Sequence, residues 1–149
     1  MFLSSPTKFT CTLLVALMAF LVFPTHAQLT SSLSYDAIYG TGSTPLSQLA
    51  CSGGKNGLGT KYLTLDSLKN FPNVGAAPTV LEWNDDNCGK CYTATYDGVS
   101  VNIIAVDVGR NGFVVSPQAM DALTGGQAVN YGRIEVTYVE ADPSACQLS

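Results

Sequence analysis

Cys91-Tyr92-Thr93-Ala94-Thr95-Tyr96-Asp97-Gly98-Val99-Ser100-Val101-Asn102-Ile103-Ile104-Ala105-Val106-Asp107-Val108 is the stretch that decides the fold. Its first six residues are rich in strand formers and run into Asp97-Gly98. That dipeptide accepts the left-handed backbone of a two-residue hairpin turn. Beyond the turn, apolar residues alternate at Val99, Val101, Ile103 and Ala105, and Ile104 and Val106 then fill the other face. A strand that becomes apolar on both faces is entering a closed core.

Outward from this hairpin, the periodicity stays mostly of the strand kind. Leu33 to Tyr39 alternates before Gly40 and Gly42 and reads as a strand. Gly132 to Glu140 is the last strand, with Ile134, Val136 and Tyr138 on one side. Two short helices interrupt the pattern. One covers Leu65 to Asn70 and stops before Phe71-Pro72. The other has Ser116 as N-cap, Pro117 at its first position, Ala119, Met120 and Leu123 on one face, and Gly125-Gly126 at its end. Many short strands with glycine-rich turns predict a mainly β domain, either a barrel or a sandwich.

The first 27 residues stand apart. Lys8 gives a basic start, and Thr12 to Phe23 is an apolar run of 12 residues. A membrane-spanning helix needs roughly 20 apolar residues, so this run suits the core of a secretory signal peptide. Thr25-His26-Ala27 supplies small residues for cleavage, which places a signal peptide at 1–27 and one domain at 28–149. Cleavage would remove Cys11 and His26, the sole histidine. Cys51, Cys88, Cys91 and Cys146 remain, and in an exported chain they read as two disulfides with three possible connectivities.

Charge narrows the partners. Residues 28–149 carry six Lys and Arg against eleven Asp and Glu. Such a chain is unsuited to nucleic acid, whose binding rests on phosphate neutralisation, and to anionic membranes. A neutral polysaccharide meets no such objection. A secreted, soluble protein without a membrane span or N-glycosylation motif is expected.

Four groups of residues bear on chemistry. Cys88-Gly89-Lys90-Cys91 has redox or zinc spacing, but no second such pair exists. Structural disulfides, each contributing about 3–4 kcal/mol in the chain-entropy model, are the better reading, and no metal or cofactor is expected. Asp107 leaves the apolar strand before Gly109 and Gly112, so it either points into a cleft or caps a loop. Asp36, Glu82, Asp85 and Asp86 are other carboxylates, but the sequence pairs none with Asp107, and glycoside hydrolysis usually needs two. Trp83, one strand from a cysteine, reads as a core residue; exposed, its indole would stack on a pyranose. Asn84 to Asn87 lacks calcium-loop spacing. Seven tyrosines accompany the single tryptophan and suit both sugar grooves and barrel surfaces.

Taken in order, several segments resemble the cerato-platanin family of secreted fungal proteins: Ser34-Tyr35-Asp36, Ala50-Cys51-Ser52, Asn56-Gly57-Leu58 and Phe71-Pro72-Asn73-Val74-Gly75. Trp83-Asn84, Cys88-Gly89-Lys90-Cys91-Tyr92 and Ala105-Val106-Asp107 follow. Gly112-Phe113, Ala119 through Ala128 and Gly132-Arg133 complete the match, which spans nearly all of 28–149. The resemblance implies a six-stranded double-psi β-barrel, like the N-terminal domain of expansins, with pairs Cys51–Cys88 and Cys91–Cys146. It implies a shallow groove for chitin oligomers, non-hydrolytic loosening of cellulose, and recognition by plants as a defence elicitor, with plant surface receptors as further partners. Asp107 matches the family's acidic groove residue, and Tyr35, Asn84 and Gln127 lie in matching motifs. The chain departs from the family pattern at Glu82 (usually Gly), Ala76 (usually Gly) and Val114 (usually Asn).

The expectation is therefore a non-catalytic wall-polysaccharide binder. The competing readings are a weak glycoside hydrolase with a hidden carboxylate pair, and a surface-active coat or effector in which sugar binding is incidental.

Overall fold

A computed structural model describes residues 27–148. The expected signal peptide, apart from Ala27, lies outside the described residues.

Six strands close into one barrel: β1 (Leu29–Tyr35), β2 (Val74–Ala77), β3 (Cys91–Tyr96), β4 (Val99–Val108), β5 (Phe113–Val115) and β6 (Arg133–Ala141). Around the barrel the order is β1-β5-β2-β4-β3-β6. β1 runs parallel to β5 and β2 parallel to β4, and the remaining neighbours are antiparallel. These two parallel pairs within a closed six-stranded barrel form the double-psi arrangement. Closure leaves no free strand edge. Three short helices are added: α1 (Ala37–Gly40), α2 (Pro117–Thr124) and α3 (Ala128–Tyr131).

The β3–β4 hairpin forms as its sequence predicts, with Asp97 and Gly98 both at positive φ and Tyr96 opposite Val99. β4 divides two cores. Ile103 and Ala105 join the inner one with Leu33, Phe113, Val136 and Tyr138. Ile104 and Val106 face an outer one with Leu46, Leu65, Leu68 and Val74, beneath the long 41–72 connection. Tyr92, Phe113 and Tyr138 pack edge to face at the centre, 5.1–6.0 Å between ring centroids. α2 has its Ser116 cap and ends at Gly125 in left-handed backbone, with Met120 and Leu123 against the inner core.

Both disulfides have the connectivity the resemblance implied, Cys51–Cys88 and Cys91–Cys146, closing separations of 37 and 55 residues.

Three local expectations fail. The Leu33–Tyr39 strand ends at Tyr35, because the Asp36 side chain accepts from Ile38 N (2.9 Å) and starts α1. The Leu65–Asn70 helix is a single 3-10 turn, Leu65–Ser67; Asn70 instead donates to the carbonyls of Asn73 and Asn102 at 3.0 and 2.8 Å. Trp83 is not a core residue but is 59% exposed. It sits on a polar turn whose backbone is held from within, so its indole is directed outward.

β2 and β5 had no periodicity signal. They have four and three residues, too few to display one, and gain their place through tertiary pairing. At Gly75 the barrel wall closes so tightly that a Cβ would stand 2.3 Å from the Val114 carbonyl oxygen. The neighbouring Ala76 is accommodated, fully buried against the outer core.

Candidate functional site

Asp107 lies near the end of β4, beside the register shift between Gly75 and Ala76 of β2. Its carboxylate is half-buried, and both of its oxygens accept hydrogen bonds. Oδ2 accepts from the Tyr39 hydroxyl at 2.9 Å. Oδ1 accepts from the backbone N–H of Ala50 at 2.9 Å and of Val108 at 2.8 Å. Asp107 thus ties α1, the 49–52 segment and β4 together. The reading of Asp107 as a loop anchor is physically satisfied, and a half-buried edge remains beside it.

Tyr39, the hydroxyl partner of Asp107, was not among the residues singled out from the sequence. Its ring is buried, and its phenol is held protonated well above the ordinary range. Burial is the main cause, followed by the negative charge of Asp107 and the hydrogen bond to it. The Asp36 cap of α1 was the available signal, since it turns the chain one residue after β1 and sets Tyr39 inward.

From Ala50 the network runs on. The Ala50 carbonyl accepts from Asn84 N at 3.1 Å. Asn84 adopts a left-handed backbone, φ 60°, which asparagine tolerates better than most residues. Its Oδ1 accepts from Asn56 N at 2.8 Å, and Asn56 Nδ2 returns to the Asn84 carbonyl at 3.1 Å and to Asp86 Oδ1 at 2.8 Å. The close approach demands glycine opposite. Gly54 has φ 79°, and a Cβ there would lie 2.3 Å from Asn84 Cγ. Asp85 closes the 81–87 turn from the other side, accepting from Leu81 N and Asn87 N. Those two backbone donors hold its carboxyl below the ordinary value. Cys51–Cys88 bolts the same two segments covalently.

Asp107 and Asn84 therefore belong to one frame. Tyr35 and Gln127 are not hydrogen-bonded to it. Tyr35 ends β1 opposite Val115, half-buried against the inner core. Gln127 is exposed before α3, where its Oε1 accepts from Asn130 Nδ2 at 2.6 Å. Among the described residues no group of three or more His, Cys, Asp or Glu is gathered to hold a metal. Among them too, no helix is long and apolar enough to cross a membrane.

The cerato-platanin family model matches residues 31–148. The chain belongs to the cerato-platanin family. An allergen of Aspergillus fumigatus is 45% identical over 115 residues, 77% of this chain and 76% of the relative. Among solved structures, cerato-platanin 1 from M. perniciosa superposes with a TM-score of 0.76 at 38% identity, covering 78% of this chain and 98% of that one. The fungal elicitor cerato-platanin, solved in solution, gives 0.71 at 41% identity, covering 77% and 95%. Relatives of this cerato-platanin-family chain are thus named as allergens or elicitors, not as enzymes.

Two departures from the family pattern now have positions. Val114 packs half-buried against the outer core, where its apolar side chain is at home. Glu82 stands exposed beside Trp83 and adds a negative charge to that turn.

Proposed function

We propose that this protein is secreted and binds cell-wall polysaccharide, chitin oligomers or cellulose, without cleaving it. Groove contacts replace glucan–glucan hydrogen bonds and loosen the packed polymer, and plants perceive the protein as an elicitor. Asp107 is the central groove residue, with Asn84 beside it and Tyr35 and Gln127 as outlying contacts.

The observation that carries this reading is the triple anchoring of Asp107 by Tyr39, Ala50 and Val108. A glycosidase acid must hold and release a proton at the leaving oxygen. A carboxylate whose two oxygens both serve as acceptors supports a fixed recognition edge rather than a proton donor. Net hydrogen-bond gains of about 1 kcal/mol each fit modest affinity and competitive loosening. The name of the related fungal elicitor supports the plant-directed part.

Calorimetric titration with chitin and cellulose oligomers tests the binding, alongside a sensitive assay for new reducing ends. Saturable heat without reducing ends is the expected result. Turnover that vanishes in Asp107→Ala would establish hydrolysis instead. Leaf responses persisting in a variant that no longer binds sugar would make the fold itself the elicitor.

A further inference from the structure

Trp83 is the single tryptophan of the chain, and it is both exposed and fixed. Its Nε1 donates to Ser52 Oγ at 3.1 Å, and its ring edge lies against Gly53. Ser52 and Gly53 in turn line a cleft of about 450 Å³, together with Ser47, Tyr62, Leu63 and Thr64. That volume falls in the range of small-molecule sites. No charged side chain lines the cleft.

The hydroxyls are directional. Ser52 Oγ accepts from the indole, which leaves its proton to donate outward. Thr64 Oγ1 donates to Asp66 Oδ1 and closes a capping box with the Ser67 backbone, which leaves one lone pair to accept. A hydroxyl donor and a hydroxyl acceptor thus belong to residues that line one neutral, partly apolar hollow. Lys61 stands over the Tyr62 ring at 5.8 Å, so one face of that ring is covered and the indole of Trp83 is the better platform. Leu63, 80% exposed, adds an apolar lip.

We infer that Trp83 and the cleft between Ser52, Tyr62 and Thr64 form a stacking subsite for an uncharged β-linked pyranose, next to the Asp107 frame. The ring's axial C–H face lies on the indole, while its hydroxyls meet Ser52 and Thr64. The subsite rests on the polysaccharide reading and extends it, since Ser52 is two residues from Ala50, the residue anchored by Asp107.

With one tryptophan, intrinsic emission reports Trp83 alone. Chitohexaose and cellohexaose are titrated separately, by calorimetry and by emission. The expected result is a saturable blue shift following the calorimetric curve of the preferred sugar, with about tenfold weaker binding in Trp83→Ala. Ser52→Ala, which leaves the ring in place, should weaken binding by a smaller factor. Calorimetric binding with unmoved emission and unchanged affinity in both variants would overturn the subsite while leaving the polysaccharide reading intact. No heat with either sugar would overturn both.

Discussion

The phenol of Tyr39 donates to Asp107 Oδ2 across 68 residues of sequence, from a one-turn helix to the end of the longest strand. With Ala50 N and Val108 N on the other oxygen, it fixes the carboxylate plane against rotation. Asp107 is therefore a framing residue as much as a surface one. A substitution there tests two properties at once, and the choice of replacement separates them.

Asp107→Asn keeps the shape. Its Oδ1 can still accept from Ala50 and Val108, and its amide can donate to the Tyr39 oxygen after the hydroxyl turns. Its stability should fall by about 1 kcal/mol or less, because the hydrogen bonds survive. Asp107→Ala strands three donors and should cost about 2–4 kcal/mol. Urea midpoints of the two variants check this. If oligosaccharide affinity falls in both, the charge itself is used; if only in Asp107→Ala, the frame is.

The raised Tyr39 ionisation predicts an alkaline signature. A tyrosine kept protonated by the fold contributes that preference fully below its unfolded value, about 10. The contribution is lost progressively as pH rises above 10 toward the higher folded value. Tyr39→Phe removes the ionisation and leaves Asp107 Oδ2 without its donor, at about 1–2 kcal/mol near neutral pH. The stability gap between wild type and Tyr39→Phe should narrow above about pH 10. A gap unchanged from pH 8 to 11 would contradict the assignment.

The sequence made the hairpin, β6 and α2 legible because each carries its own periodicity, cap or turn. Strand β4 was readable because Ile103 to Val106 is apolar on both faces, and the structure sets a core on each side. Nothing local announced β2 or β5, whose backbones are paired by distant strands. The site was half legible. Asp107 and Asn84 stood out as residues, but the backbone of Ala50 that joins them did not, since any residue could supply that N–H and C=O. Trp83 reads as core from its place one strand from a cysteine, and the structure exposes it instead. The turn that carries it is held by Asn84, Asn56 and Gly54, and its indole bonds to Ser52, all three-dimensional contacts between separate loops.

The two disulfides should be unequal in function though similar in stability. Loop closure over 37 and 55 residues gives each about 4 kcal/mol in the chain-entropy model. Cys91–Cys146 fastens the start of β3 to the C-terminal 3-10 turn. Cys51–Cys88 instead joins the two segments that carry the Asp107–Ala50–Asn84 frame. The Cys51→Ser/Cys88→Ser variant should lose oligosaccharide affinity under conditions where it remains folded. Cys91→Ser/Cys146→Ser should lose comparable stability and keep its affinity. Binding isotherms for both, taken well below their melting temperatures, compare them directly.

Asn84 offers the sharpest separation of backbone from side chain. Its φ of 60° suits glycine and asparagine and strains alanine by about 1 kcal/mol or more. Its Oδ1 also satisfies Asn56 N, a bond worth about 1 kcal/mol. Asn84→Gly should therefore cost about 1 kcal/mol, the bond alone, and Asn84→Ala about 2–3 kcal/mol, the bond plus the strain. Both remove one of the three hydrogen bonds that tie Asn56 to the turn carrying Trp83, leaving Asn56 Nδ2 on the residue-84 carbonyl and on Asp86, so both should lower the fluorescence anisotropy of that single indole. If Asn84→Gly matches wild type in anisotropy and stability, the side-chain clamp is dispensable. The outward setting of Trp83 would then rest on Cys51–Cys88 and the Ala50–Asn84 backbone bond.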